Sequence, residues 1–361
     1  MDLMYKPDWA EAKQRFEAFY AGEIIGRPCV SVRAPKDGAK PNYVQTQATD
    51  IRGRWLDFET HLANTEIAAR TTFYGGEAFP SFMPYLGPDQ FSAFMGCDII
   101  FAEGTAWVNH VLDDWRWFTP LKFDEGNHWW RRFLWACRQG REHGRGTWIG
   151  NTNDIHSGAD CLLAMRGPEA LCLDLIERPD TIRRAIVELE AIWYNIYDQM
   201  FDAVGGAESG TTSWIPCWAQ GKFAAIQCDF NALLGPDMYK EFFLPELEAE
   251  ANYLDHCVYH LDGPNTICHL DNLLAIKKID AIQWVPGAAL EQPGKPKFIP
   301  WLPLLKRIQN AGKACWLDCS ADEAKLLAKE LRPERTFYNI YGGVNTQKEA
   351  EDLLEWFRKN T

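Results

Sequence analysis

Residues 256–264 read HCVYHLDGP. Cys257, Val258 and Tyr259 have the branched and aromatic character of a buried strand, and Gly263-Pro264 ends it. His260 and Asp262 stand two residues apart, so a strand carries both side chains to one face. A buried strand that finishes on an imidazole and a carboxylate is the pattern of an α/β barrel, where chemistry gathers at the C-terminal strand ends.

Seven further segments share that short apolar character: CVSVRAP (29–35), FPSFMPYL (79–86), GTWIGN (146–151), TTSWIP (211–216), AIQWVPG (281–287), ACWLDC (314–319) and TFYNIYGG (336–343). Helix-length segments lie between most of them, such as RPDTIRRAIVELEAIWYNIYDQMF (178–201), GPDMYKEFFLPELEAEANYLD (235–255) and TQKEAEDLLEWF (346–357). The last opens on Thr346 with Glu349 three residues on, the spacing of a capping box. Residues 87–146 are expected to hold extra helices and Trp-rich loops. An opening helix is predicted over Asp8–Ala21, because Trp9, Ala12, Phe16, Phe19 and Tyr20 share a face and Gly22 follows. Eight strands alternating with helices predict a (β/α)8 TIM barrel, an α/β fold. It would form one domain over residues 1–361, with residues 1–28 as an N-terminal helical extension. The rival doubly wound nucleotide fold lacks its signature, since no G-x-G-x-x-G follows a strand and no P-loop is present.

The 361 residues suffice for a large core, and 47% are hydrophobic. No uninterrupted apolar run approaches the roughly 18 residues that span a bilayer, and the first residues lack a signal peptide's apolar stretch. Eleven cysteines are scattered through apolar segments, which suits buried thiols in a reducing compartment. A net charge of −13 with no basic stripe argues against nucleic acid and anionic membranes as partners. The expectation is a soluble, cytoplasmic protein acting on a small molecule. The sixteen tryptophans serve packing in most cases, and several at one barrel end would make a pocket for a flat or cationic ligand.

Four stretches carry a family resemblance: YHLDGPNTICHLDNLLAIKKIDAIQWVPG (259–287), CDFNALLGPDMYKEFFLPELEAEANYLD (228–255), LAMRGPEALCLDLIERPDTIRRAI (163–186) and YNIYGGVNTQKEAEDLLEWF (338–357). From about residue 75 onward the chain resembles the uroporphyrinogen decarboxylase superfamily. These (β/α)8 barrels include the decarboxylase and the methyltransferases that exchange methyl groups with corrinoid proteins. The resemblance implies a methyltransferase or demethylase that moves a methyl group from a small methoxylated or N-methylated compound to a corrinoid held by a partner protein. The thiol-methylating members end strand five in His-x-Cys-Gly and place a second Cys in the strand-eight loop, together binding zinc. Here His260 matches the histidine, Asp262 replaces the first cysteine, and Gly342 or its neighbour replaces the second. No Cys2His zinc site is therefore expected. His260 and Asp262 suit another divalent-metal arrangement, zinc included, given a third ligand such as Asp318 or Cys319. The decarboxylase's arginine-rich loop is also missing, with Arg33 alone at the end of strand one.

Position at strand ends selects most of the candidate site, and the resemblance adds Asp229, which falls where family members keep an aspartate in the pocket. His260, Asp262 and Asp229 are the catalytic candidates, as acid, base or orienter. Trp214, Trp284, Asn153, His156 and Asp318 are the substrate-binding candidates, with the two tryptophans as an apolar wall. Other readings of the same residues stay open. Asp262 can cap the Gly263-Pro264 turn over a core His260, and Asn153–His156 can be turn chemistry. A hydrolase or lyase could use Asp229, Asp262 and Asp318 beneath tryptophan platforms, on a sugar-like or aromatic molecule. Decarboxylation and binding without turnover complete the set.

Overall fold

The computed structural model describes residues 2–118, 120–287, 290 and 295–361. Its strands are β1 (Cys29–Pro35), β2 (Thr72–Gly76), β3 (Ser81–Phe82), β4 (Ile99–Phe101), β5 (Ala106–Val108), β6 (Ile149–Gly150), β7 (Phe223–Gln227), β8 (His256–Asp262), β9 (Ala281–Val285), β10 (Ala314–Ser320) and β11 (Thr336–Gly342). The central sheet has seven strands in the order β2-β1-β11-β10-β9-β8-β7. All its pairs are parallel except β1 with β2. β3 pairs with β6 in parallel, and β4 with β5 as an antiparallel ribbon. The α/β character and the dominance of parallel pairing agree with the sequence. No ladder among the described residues closes the sheet.

Not every expected strand forms. Residues 79–86 contribute only the two-residue β3, 146–151 the two-residue β6 and a single bridge at Asn151, and 211–216 only single bridges at Thr211 and Thr212. The reason lies in its polar side chains, which compete with ladder pairing. Thr211 Oγ1 accepts from the Phe223 amide and Ser213 Oγ from the Ala225 amide, so side chains do what a neighbouring strand's carbonyls would. The adjoining segment FAAIQ (223–227) is the sheet strand instead. The helix over Asp8–Ala21 forms as α1 (Trp9–Ala21), ended by Gly22 at φ 69°. The capping box at Thr346 and Glu349 is also present.

Strand alternation divides the core in two. Tyr259, Leu261, Ile282, Trp284, Leu317, Cys319 and Tyr338 lie in one buried cluster with Leu189, Leu273, Leu305, Leu327 and Leu353 of the surrounding helices. The residues between them, Phe223, Ala225, Val258, Ala281, Ala314, Trp316 and Phe337, join a second cluster with Trp9, Phe16 and Phe19 of α1. Phe16 stacks on Phe337 at 5.9 Å and Trp9 meets Trp218 at 5.4 Å. Each such aromatic contributes roughly 2–3 kcal/mol by leaving water, so α1 is a plug over the N-terminal end of this inner face.

Two residues further along each strand the same face turns polar. Ala225 is followed by Gln227, Val258 by His260, Ala281 by Gln283, Trp316 by Asp318 and Phe337 by Asn339. No helix among the described residues is long and apolar enough to cross a membrane. Cys268, in the turn Pro264–His269 beyond β8, is exposed, and Cys172 is half-buried, while the remaining cysteines are buried.

Candidate active site

The polar end of the inner face begins with one row. Gln227, His260 and Gln283 are direct neighbours across β7, β8 and β9. His260 Nδ1 lies 2.6 Å from Gln283 Oε1. With the amide oxygen assigned to face the ring, Nδ1 is the donor and Nε2 is left as the acceptor of a neutral imidazole. Burial lowers the basicity of His260, and nearby His156 lowers it further against the opposing pull of Gln283, Asp262 and Asp154. Trp214 meets the ring edge-on, with centroids 5.0 Å apart at 77°.

Beyond β7 the chain enters a tight turn, Asp229–Leu233, and this turn is anchored from outside the strand. Asp160, in the first turn of the helix Gly158–Arg166, accepts from the amides of Asp229 (3.0 Å) and Phe230 (2.9 Å). Gln227 Nε2 donates to Asp229 Oδ2 at 2.9 Å and lies 3.4 Å from His156 Nδ1. His156 in turn pairs with Asp154.

The charges of this cluster set its chemistry. Burial raises the Asp229 carboxyl to about 6; Asp262 and Asp154 add to the shift, while His156 and the Gln227 bond oppose it. Asp160 is likewise raised to about 6 by burial and Asp229, against His156 and its two backbone donors. Burial works against charge on His156, but Asp154, Asp160 and Asp229 outweigh it and raise the ring to about 9. Near neutrality the site therefore holds an imidazolium, a neutral imidazole and two carboxyls that are mostly ionised but keep a protonated fraction, which suits proton transfer.

A second polar group shares the face. Asn339 Nδ2 donates to Asp318 Oδ1 at 2.7 Å, and the two are register partners on β11 and β10. Ser31 of β1 is the next partner of Asn339, with Arg33 one inner step beyond it.

Of the residues expected from sequence, Asp229, His260, Asp262, His156 and Trp214 come together, and Asp318 stands on the same face. Trp284 does not. It is 0% exposed, faces the helices and packs on Trp301 at 5.0 Å. Its strand turns Gln283 inward, and the next residue must point the other way. Asn153 is also corrected, from substrate ligand to loop anchor. It is 1% exposed, accepts from Gln90 Nε2 at 2.8 Å, donates to the Pro84 carbonyl, and receives no solvent-facing role. Its φ of 71° makes it the one described non-glycine residue in the left-handed region, a conformation asparagine tolerates better than most. This fixed loop aims His156. Cys319, offered as a third metal ligand, faces the helices. Gln227, Gln283 and Asp160 were not among the sequence candidates. Counting two residues back from Val285 would have found Gln283, whereas Asp160 carries no local signal.

Among the described residues no three His, Cys, Asp or Glu side chains gather to hold an ion; His260 Nδ1 is engaged by Gln283, which leaves Nε2 open. Compared with known proteins, the chain matches no family model and no curated protein.

Proposed function

We propose that the chain is an enzyme that transfers a methyl group from a small methoxylated or N-methylated compound to a corrinoid protein, with Asp229 as general acid. The observation that carries this reading is the Asp229 carboxyl, raised to about 6 and held beside the His156 imidazolium and the neutral His260. A methyl–oxygen or methyl–nitrogen bond breaks with its electron pair passing to the heteroatom. Protonating that atom removes the charge that opposes cleavage, an effect worth about 10²–10⁴-fold. Asp229 supplies the proton, Gln227 orients its carboxyl, and His260 Nε2 accepts a hydrogen bond from the substrate. Asp262 shares the inner face two residues beyond His260. The corrinoid, carried by the partner protein, is the methyl acceptor.

The sequence resemblance supports the reading, and so does the architecture. We take the parallel strands β1 and β7–β11 and the β3–β6 pair as the eight staves of one (β/α)8 barrel forming a single domain, with the 211–213 segment bridging between β6 and β7. Supporting this, the Ile149 amide donates to the Pro80 carbonyl, Asn151 bridges Thr212 in parallel, and the Thr211 and Ser213 hydroxyls accept from β7. The methyltransferase and hydrolase readings alike lose one of their two tryptophans, because Trp284 faces the helices.

Methylation of cob(I)alamin, free and protein-bound, should be measured with methoxylated aromatics and methylated amines, alongside aryl glycoside hydrolysis. The expected result is corrinoid alkylation by the wild type that Asp229→Asn lowers about 10²–10⁴-fold. Glycoside cleavage without corrinoid alkylation would overturn the proposal in favour of hydrolysis.

A further inference from the structure

With Trp284 turned outward, a second aromatic wall for the site has to come from another segment. The stretch after β3 supplies it. Phe82 of β3 packs outward on Gly140 of the helix His128–Gly144. Alternation turns Tyr85, three residues on, to the opposite side. There burial, then Asp154 and Asp89, hold its phenol protonated.

Printed contacts run without a gap from Tyr85 to the acid. The Pro84 carbonyl accepts from Asn153 Nδ2. Gln90 accepts from the Leu86 amide at 3.3 Å and donates to Asn153 Oδ1 at 2.8 Å and the Asp154 carbonyl at 2.6 Å. Tyr85 is thus stapled on both sides to the loop that carries His156. That ring lies 3.4 Å from Gln227 Nε2, which donates to Asp229.

Trp55, in the helix Ile51–Leu56, stands behind Tyr85, with ring centroids 6.0 Å apart at 37°. Its Nε1 donates to the Ala102 carbonyl at 2.9 Å and its ring meets Phe101 at 5.4 Å, so it is a fixed brace. Residues 36–71 leave the sheet at Pro35 and return at its register partner Thr72. Because β1 and β8–β11 are parallel, this is the same end of the sheet at which β8 presents His260. Tyr85 and Trp214 are both half-buried, and Tyr85 Oη makes no hydrogen bond to the described residues. Trp214 Nε1 is likewise buried without a partner.

The chemistry of the acid points the same way. A quaternary ammonium that loses a methyl group departs as a neutral amine and needs no proton. An aryl oxygen departs as a phenolate, which takes a proton at about 10, and a carboxyl raised to about 6 gives it one downhill.

We propose that the methyl donor is an aryl methyl ether, its ring held against Tyr85 with Trp55 behind, and its methoxyl group beside Asp229. This rests on the methyl-transfer reading of the site. The methyl–oxygen bond breaks with its electron pair on oxygen, Asp229 gives that oxygen its proton, and a phenol forms. Cobalt(I) of the corrinoid supplies the pair for the new bond to the methyl group and is oxidised to cobalt(III) as the methyl carbon is reduced. The carboxylates around Asp229 would also draw an ammonium group, so both kinds of donor enter the test.

Isothermal titration calorimetry without corrinoid should compare 2-methoxyphenol, cyclohexyl methyl ether and tetramethylammonium. The wild type should bind 2-methoxyphenol about fivefold or more tightly than either of the others. Tyr85→Leu should erase most of that preference, and Tyr85→Phe, which keeps the ring, should retain it. Equal binding of the three probes by the wild type overturns the inference, and that comparison needs no variant to fold. A preference that survives Tyr85→Leu overturns it as well. Corrinoid methylation from methylated amines but not from aryl methyl ethers overturns the inference and leaves methyl transfer standing. Selection of the aryl ether in calorimetry without any corrinoid methylation overturns the proposed function alone.

Discussion

Asp229 and His156 titrate in opposite senses, and pH separates their roles. As a general acid Asp229 works only when protonated. Methyl transfer should therefore be fastest below about 6 and fall roughly tenfold per pH unit above it. A pH–rate profile should show that limb in the wild type and its absence in Asp229→Asn. His156 is raised above the unfolded value of 6.5 to about 9. The stability it contributes is fully present below 6.5 and is lost as pH rises through 9, with a total on the order of 3 kcal/mol. Urea unfolding of His156→Gln against the wild type should show that slope disappear between those limits. At His260, Gln283→Glu would place a carboxylate beside Nδ1, so the imidazole midpoint seen by proton NMR should rise. A midpoint that stays put would show that the Nδ1 contact does not govern the ring.

At the scale of strands and helices, alternation decides which side chain does chemistry. Trp284→Ala should cost about 3–5 kcal/mol as a cavity behind the sheet, whereas Trp214→Phe should alter His260 titration with little loss of stability. Thermal melts and NMR titration of the two variants distinguish these outcomes. The strands β1 and β8–β11 were legible because each is a long apolar run with a turn signal after it. FAAIQ was not, because two alanines and a five-residue length give no periodic signal. The His260 position followed from a strand end and Asp229 from the family resemblance, yet Trp284 was misassigned for want of the parity that Gln283 fixes. Asp160 stayed hidden because the contact that matters, to the Asp229 amide, joins residues 69 positions apart.

For the molecule as a whole, the inner face needs its plug. Trp9→Ala should cost about 3–5 kcal/mol, and removal of residues 1–21 should expose Phe223, Val258, Trp316 and Phe337 and cause aggregation, measurable by light scattering. A truncated chain that stays monomeric and melts as the wild type does would show α1 to be dispensable. The buried thiols give the fold one more property. Cys268 lies six residues beyond Asp262, outside the packed layers, and every described cysteine except Cys268 and the half-buried Cys172 is shielded from solvent. A maleimide fluorophore should therefore attach at Cys268 first, with no engineered mutation. The native chain thus offers a labelling point just beyond the strand that carries His260 and ends in Asp262, and a ligand entering there would register as a change in that dye's emission.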